Sequence, residues 1–219
     1  MRDGSEFRGK SGDILEAFTR SVARDGYEGT SFSIIASELG ISRGLIAHHF
    51  GTKERLLATL HASYARRRVD EASRIVSALT TPPEQLAGLL YAAILYQTYD
   101  RDATVAFQRE VARLAKQDED SEGRKLTHEY TRIWRDVIDA GIASGEFRVV
   151  DTNTRSLLII GSARWVWTWF RPDGQRSVEQ IGAELVDLVL GSLLVSRRRL
   201  ARLADSDGEV VATVRAIVQ

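Results

Sequence analysis

From Asp13 onward apolar residues return at helical spacing: Ile14, Leu15, Phe18 and Val22 share one face, and Gly26 ends this first helix. No stretch shows the sustained period-two alternation of a half-buried strand. The only prolines are Pro82, Pro83 and Pro172, so long segments run without a breaker. The pattern predicts an all-α chain. Ser31 is a natural N-cap for a short second helix that Gly40 closes, although Ile34 stands where an acid would complete a capping box. Ser42 caps a third helix reaching about Phe50, and Thr52 caps a long fourth that reaches about Thr80. The double proline starts a fifth, through about Tyr99, and a sixth covers about Thr104 to Lys116. After the acidic loop "QDEDSEG" the seventh runs from about Glu122 to Ser144 and stops at Gly145. Asp151 caps an eighth that ends at Arg171–Pro172, "SVEQ" is a capping box opening the ninth, and "SDGE" (206–209) opens a short tenth.

Composition removes several classes of function. With no cysteine there is neither a disulfide nor a thiolate ligand or nucleophile, which suits a cytoplasmic protein. No apolar run approaches the ~20 residues that cross a bilayer, and charged residues occupy the start, where a signal peptide would be apolar. Residues 1–7, "MRDGSEF", read as a cloning scar. "GSEFRGKS" (4–11) fits the spacing of a phosphate-cradling loop, but no strand precedes it to aim the backbone at a phosphate. The net charge is zero, yet unevenly spread: residues 1–68 carry eleven Lys and Arg against eight Asp and Glu. That mild basic excess points to the front of the chain.

There, "LGIS" (39–42) joins two short helices through a glycine turn, the signature of a helix-turn-helix. Gly40 supplies the left-handed conformation, while Ile41 joins Ile35, Leu39 and Ile46 in a small core. Ser42 caps the second helix of the pair, whose first turn must be free to enter a major groove. Its exposed positions are Arg43, Gly44, Leu45, Ala47 and His48. Arg43 can pair with guanine through two bonds, Gly44 allows close backbone approach, and Leu45 or Ala47 can touch a thymine methyl. Lys53, in the next helical turn, suits a phosphate. His48 and His49 are adjacent and diverge by about 100°, so they cannot share a metal as an i, i+4 pair does. No metal or cofactor is expected.

The run "ILEAFTRSVARDGYEGTSFSIIASELGISRGLIAHHFGTKERLL" (14–57) resembles the DNA-binding domain of the TetR family of transcriptional regulators. The resemblance lies in "DGYEGTS", the "IA…LGIS" turn and "HHFGTKERLL". It implies that Arg43, Gly44 and Leu45 read bases, that His48, His49 and Lys53 lie at or near the phosphate-contacting end, and that Phe50 is a core residue. Ala47 departs from the family, which usually carries a backbone-gripping Tyr there.

The resemblance further implies a C-terminal ligand-binding domain and a homodimer formed through helices eight and nine. Gly161, Ser162, Ala163, Gly182, Ala183, Gly191 and Ser192 are small enough for close helix approach, within the chain or between copies. On the eighth helix Trp165 and Trp169 are spaced i, i+4. With Tyr91, Leu95, Phe107, Tyr130 and Trp134 they form either an apolar effector chamber or a plain core. Arg164 amid this run needs an acid, an interface edge or an anionic ligand. "RPDG" (171–174) and "SGEFR" (144–148) resemble the acyl-CoA-responsive branch of the family. The expected division is a DNA-binding domain at 8–52, a ligand-binding and dimerisation domain at 53–205, and a helical extension at 206–219. The expected function is a repressor released from a pseudo-palindromic operator by a small apolar or acyl-CoA-type effector, with no enzymatic activity. The alternative is a helical small-molecule-binding or interaction protein whose DNA binding is weak or lost. An enzyme lacks a nucleophile–base pair here, with His61 and His128 isolated on separate helices.

Overall fold

The computed structural model describes residues 4–116 and 118–219. The scar reading therefore falls partly on residues 1–3, which with Gln117 of the acidic loop lie outside the described residues. Eleven α-helices account for the described chain, with no β-strand among the described residues. In order they are α1 (Gly4–Gly29), α2 (Phe32–Leu39), α3 (Arg43–Phe50), α4 (Lys53–Ala78), α5 (Pro82–Tyr99), α6 (Arg101–Leu114), α7 (Glu122–Ala143), α8 (Thr152–Trp165), α9 (Val178–Leu193), α10 (Leu200–Leu203) and α11 (Glu209–Val218). The chain is all-α, as its pattern predicts.

Several boundaries differ from the sequence expectation. Helix α1 starts at Gly4, not Asp13, which places the phosphate-loop spacing inside a helix. Gly26 (φ 75°, ψ 170°) breaks α1 where the pattern ends it. Helix α6 starts three residues early, because Asp100 closes α5 and the chain turns at once into Arg101. Helix α8 stops at Trp165 and tightens into a 3₁₀ turn, Val166–Thr168, instead of running to Arg171. Ser206 does not cap α11: Gly208 stands there and makes no side-chain bond.

The helices form two compact units. The first holds the residues up to Arg66 together with Asp102–Leu126. Its core is built from Ile14, Phe18 and Val22 of α1, Ile35 of α2, Ile46 of α3, Leu56, Leu57 and Leu60 of α4, and Phe107 of α6.

The second unit holds Arg67–Arg101 and Thr127–Gln219 and centres on α5. That helix is apolar nearly all round, as a helix enclosed by others must be, and it packs against α8, α9 and α11. Its start is fixed by a reciprocal box between Thr81 and Glu84. Val210, Val211 and Val214 of α11 are buried in this core. "SGEFR" folds back from α7: Gly145 takes φ 74°, Phe147 buries its ring against Gly141, and Val195 donates its N–H to the Glu146 carbonyl.

One small residue proves intrachain. A Cβ on Gly182 of α9 would lie 2.6 Å from Cδ1 of Tyr91, closer than any real contact. Gly182→Ala should therefore destabilise the protein by about 1–3 kcal/mol, read from a urea melt, because the fully buried Tyr91 ring has no room to yield.

Candidate nucleic-acid interface

The α2–α3 pair is set by backbone chemistry at its joints. Ser31 accepts the Ile34 N–H at 3.3 Å and opens α2. Gly40 takes φ 64°, ψ 32°, and the Ile41 N–H returns to the Ala36 carbonyl at 3.0 Å. The Ser42 hydroxyl accepts the Leu45 N–H at 3.2 Å and opens α3. At the far end Gly51 (φ 73°) closes α3, and the Thr52 hydroxyl accepts the Arg55 N–H at 3.2 Å to open α4.

Burial then separates two faces of α3. Ile46 is fully buried and ties the helix to the first unit's core. Ser42, Arg43, Gly44, Ala47 and His48 are exposed, while Leu45 is half-buried. His48 presents its edge to His49 at 5.8 Å, and His49 is half-buried against Phe50, with ring centroids 6.3 Å apart. Among the described residues no carboxylate pairs with Arg43. No group of three His, Asp or Glu residues able to hold a metal occurs among the described residues.

Lys53 at the start of α4 is half-buried, its ammonium nitrogen 4.0 Å from the centre of the Tyr27 ring. Tyr27 donates its hydroxyl to Glu54 at 2.9 Å and its backbone N–H to Glu110 of α6 at 2.9 Å. Burial, then the Glu54 carboxylate, push the Tyr27 phenol up to about 12, so it stays a proton donor. Two arginines of α6 join this cluster. Arg109 donates to the carbonyls of Ala23 and Arg24 at the end of α1, and Arg113 pairs with Glu28 and Glu110. Apart from the i, i+3 pair Arg113–Glu110, these pairings link residues more than 80 positions apart, and no local pattern announces them.

The expected effector residues do not assemble as one chamber. Tyr91, Leu95 and Trp134 are fully buried in the second unit's core, and Tyr130 packs on Trp134 with ring centroids 6.0 Å apart. Tyr91 donates its hydroxyl to the Asp205 carbonyl at 3.1 Å, which ties α5 to the chain before α11. Phe107 belongs to the first unit's core, stacked on Tyr64 at 4.6 Å. Trp165 and Trp169 are 66% and 52% exposed, and they are not i, i+4 neighbours on one helix because the backbone tightens at Val166. Arg164 is half-buried beside them. A groove of about 520 Å³ is lined by Trp169, Phe170, Arg171, Arg176 and Ile181, next to the turn that "RPDG" closes.

Residues 14–60 match the family described as bacterial regulatory proteins, tetR family, and residues 79–193 match the tetracyclin repressor-like C-terminal domain. The HTH-type transcriptional repressor KstR2 of Mycobacterium tuberculosis is 29% identical over 196 residues, covering 88% of this chain and 96% of its own length. The solved structure of that organism's ketosteroid transcriptional regulator KstR2 superposes with a TM-score of 0.76 at 28% identity, covering 85% of this chain and 96% of that one. AibR, solved in complex with isovaleryl coenzyme A and operator DNA, shares the fold at a TM-score of 0.72 and 24% identity, over 80% of this chain and 95% of its own. With its glycine-turned reader pair and both halves matched, this chain belongs to the TetR family and is a DNA-binding transcriptional regulator.

Proposed function

We propose that the protein is a homodimeric repressor in the cytoplasm, released from a pseudo-palindromic operator by an apolar or acyl-CoA-type effector. The observation that carries it is the Gly40–Ser42 turn, which buries Ile46 while leaving Arg43, Gly44, Ala47 and His48 free to meet a major groove. Within residues 8–52, Arg43 reads guanine, Gly44 and Leu45 meet neighbouring base edges, and Ser42, Ala47, His48 and His49 line the backbone. Lys53 holds a phosphate.

Residues 53–205 bind effector and partner, and residues 206–219 complete the second core. The dimer forms through α8 and α9, where Leu157, Leu158, Gly161, Trp165 and Leu188 are exposed. A second copy is the fitting occupant, because a twofold axis sets two α3 helices on successive major grooves. An acyl-CoA-type effector is supported by the groove whose apolar wall is Trp169, Phe170 and Ile181 and whose cations are Arg171 and Arg176. Likeness to a protein named as a ketosteroid regulator supports the same apolar class. Effector bound in the second unit weakens operator affinity only by preferring one placement of α4 over another.

The test is binding of the DNA flanking the protein's own gene at two salt concentrations, with and without a panel of acyl-CoA thioesters. Specific, salt-sensitive binding released by one thioester is expected; binding indifferent to the panel would remove the effector class. Arg43→Ala is expected to lose about 1–3 kcal/mol of discrimination between operator and scrambled duplex while keeping nonspecific affinity. Competition titrations with the two duplexes measure this directly.

A further inference from the structure

Lys53 is held by a ring and not by an acid. Its ammonium lies 4.0 Å from the Tyr27 ring centre, and no carboxylate pairs with it among the described residues. Arg113, whose guanidinium carbon lies 4.4 Å from the same ring, is by contrast paired with Glu28 and Glu110. The difference has a chemical consequence. A carboxylate partner would neutralise the lysine and compete with an arriving phosphate, whereas an aromatic face orients the cation and leaves its charge in place.

The ring itself is anchored at both ends. Gly26, in a conformation open only to glycine, delivers Tyr27 into the core, where it is 5% exposed. Its N–H is held by Glu110 and its hydroxyl by Glu54, the residue next to Lys53. Side-chain freedom at Lys53 is thus restricted before DNA arrives.

We propose that Tyr27 is a positioning residue for operator binding: its ring presents the Lys53 ammonium to a DNA phosphate without neutralising it. The inference rests on Lys53 being a phosphate contact. It assigns to a tyrosine only 5% exposed a share of the salt-dependent affinity.

The test uses the full-length protein and a fluorescent operator duplex titrated across a salt series. Lys53→Ala is expected to weaken binding about 3–10-fold and to lower the salt slope by about one. Tyr27→Leu should reproduce most of both effects, Tyr27→Phe should keep the wild-type slope, and the Tyr27→Leu, Lys53→Ala double variant should bind no more weakly than Lys53→Ala alone. Thermal melts of every variant monitor folding. An unchanged slope in Tyr27→Leu, or losses that multiply in the double variant, would leave Tyr27 a core residue and nothing more. An unchanged slope in Lys53→Ala, with discrimination by Arg43 intact, would overturn the inference while sparing the DNA reader. Absence of specific binding by the wild type would overturn both. Independently of folding in any variant, the ε-methylene protons of Lys53 should show an upfield ring-current shift in free wild-type protein that changes on adding duplex. Its absence would also overturn the proposal.

Discussion

Leu158→Asp should convert the proposed dimer into a monomer and strip the protein of tight operator binding. Leu157, Leu158 and Trp165 of α8 are 56%, 64% and 66% exposed, and Leu188 of α9 is 67% exposed. Gly161 lies between them with nothing within 4 Å of where its Cβ would be. These positions recur at helical spacing, so the large side chains form a stripe and the glycine opens room for another helix along it. An apolar stripe of this kind on a lone chain exposes surface that water disfavours, and it is typical of an interface. Each twofold contact contains the substitution twice. Every copy loses roughly 1.5–3 kcal/mol of leucine burial and adds an unpaired carboxylate, which alone costs about 3–5 kcal/mol when enclosed. Sedimentation equilibrium should give the mass of a 24.4 kDa monomer for the variant and twice that for the wild type. Operator affinity should fall in parallel, because a monomer reads one half-site. Retained dimerisation, with far-UV dichroism unchanged, would place the interface elsewhere.

What was legible in the sequence follows the range of the interaction. Ser31, Ser42, Thr52, Asp151 and Ser177 each accept a backbone N–H three residues on, so a cap and the turn after it lie within one short window. The exposed face of α3 was equally readable, since one buried position, Ile46, fixes the phase of eight residues. Contacts closed over long separations were not. Nothing near Tyr27 announces that Glu110 will hold its N–H, or that α6 will share a core with α1 and α4. The aromatic chamber failed for the same reason: periodicity sorts residues within one helix and is silent about which helices meet. Phe107 and Trp134 consequently sit in different cores. The tightening of α8 at Val166 had no cap, glycine or proline to mark it, and it turned two expected neighbours into separate exposed tryptophans.

Trp134 separates a core role from an effector role. Its side chain is fully buried, and its indole N–H has no hydrogen-bond partner among the described residues. Trp134→Ala should cost about 3–5 kcal/mol of stability through lost burial and the cavity left behind. In a chain of 219 residues that lowers the melting temperature by roughly 6–20 °C. Trp134→Phe is the more informative change. It keeps an aromatic ring next to Tyr130 and removes a buried donor whose lack of a partner costs about 1–3 kcal/mol. That gain offsets the lost volume, so the melting temperature should stay within a few degrees of wild type. If the effector supplies the acceptor that this N–H lacks, Trp134→Phe loses a bond worth about 0.5–1.5 kcal/mol. Half-release from operator should then need roughly 2–12 times more effector, while affinity for DNA alone is unchanged. A release curve that coincides with wild type would make Trp134 purely a core residue. Because the two substitutions act on different quantities, a melt and an operator-release titration of each variant distinguish packing from recognition at a single side chain.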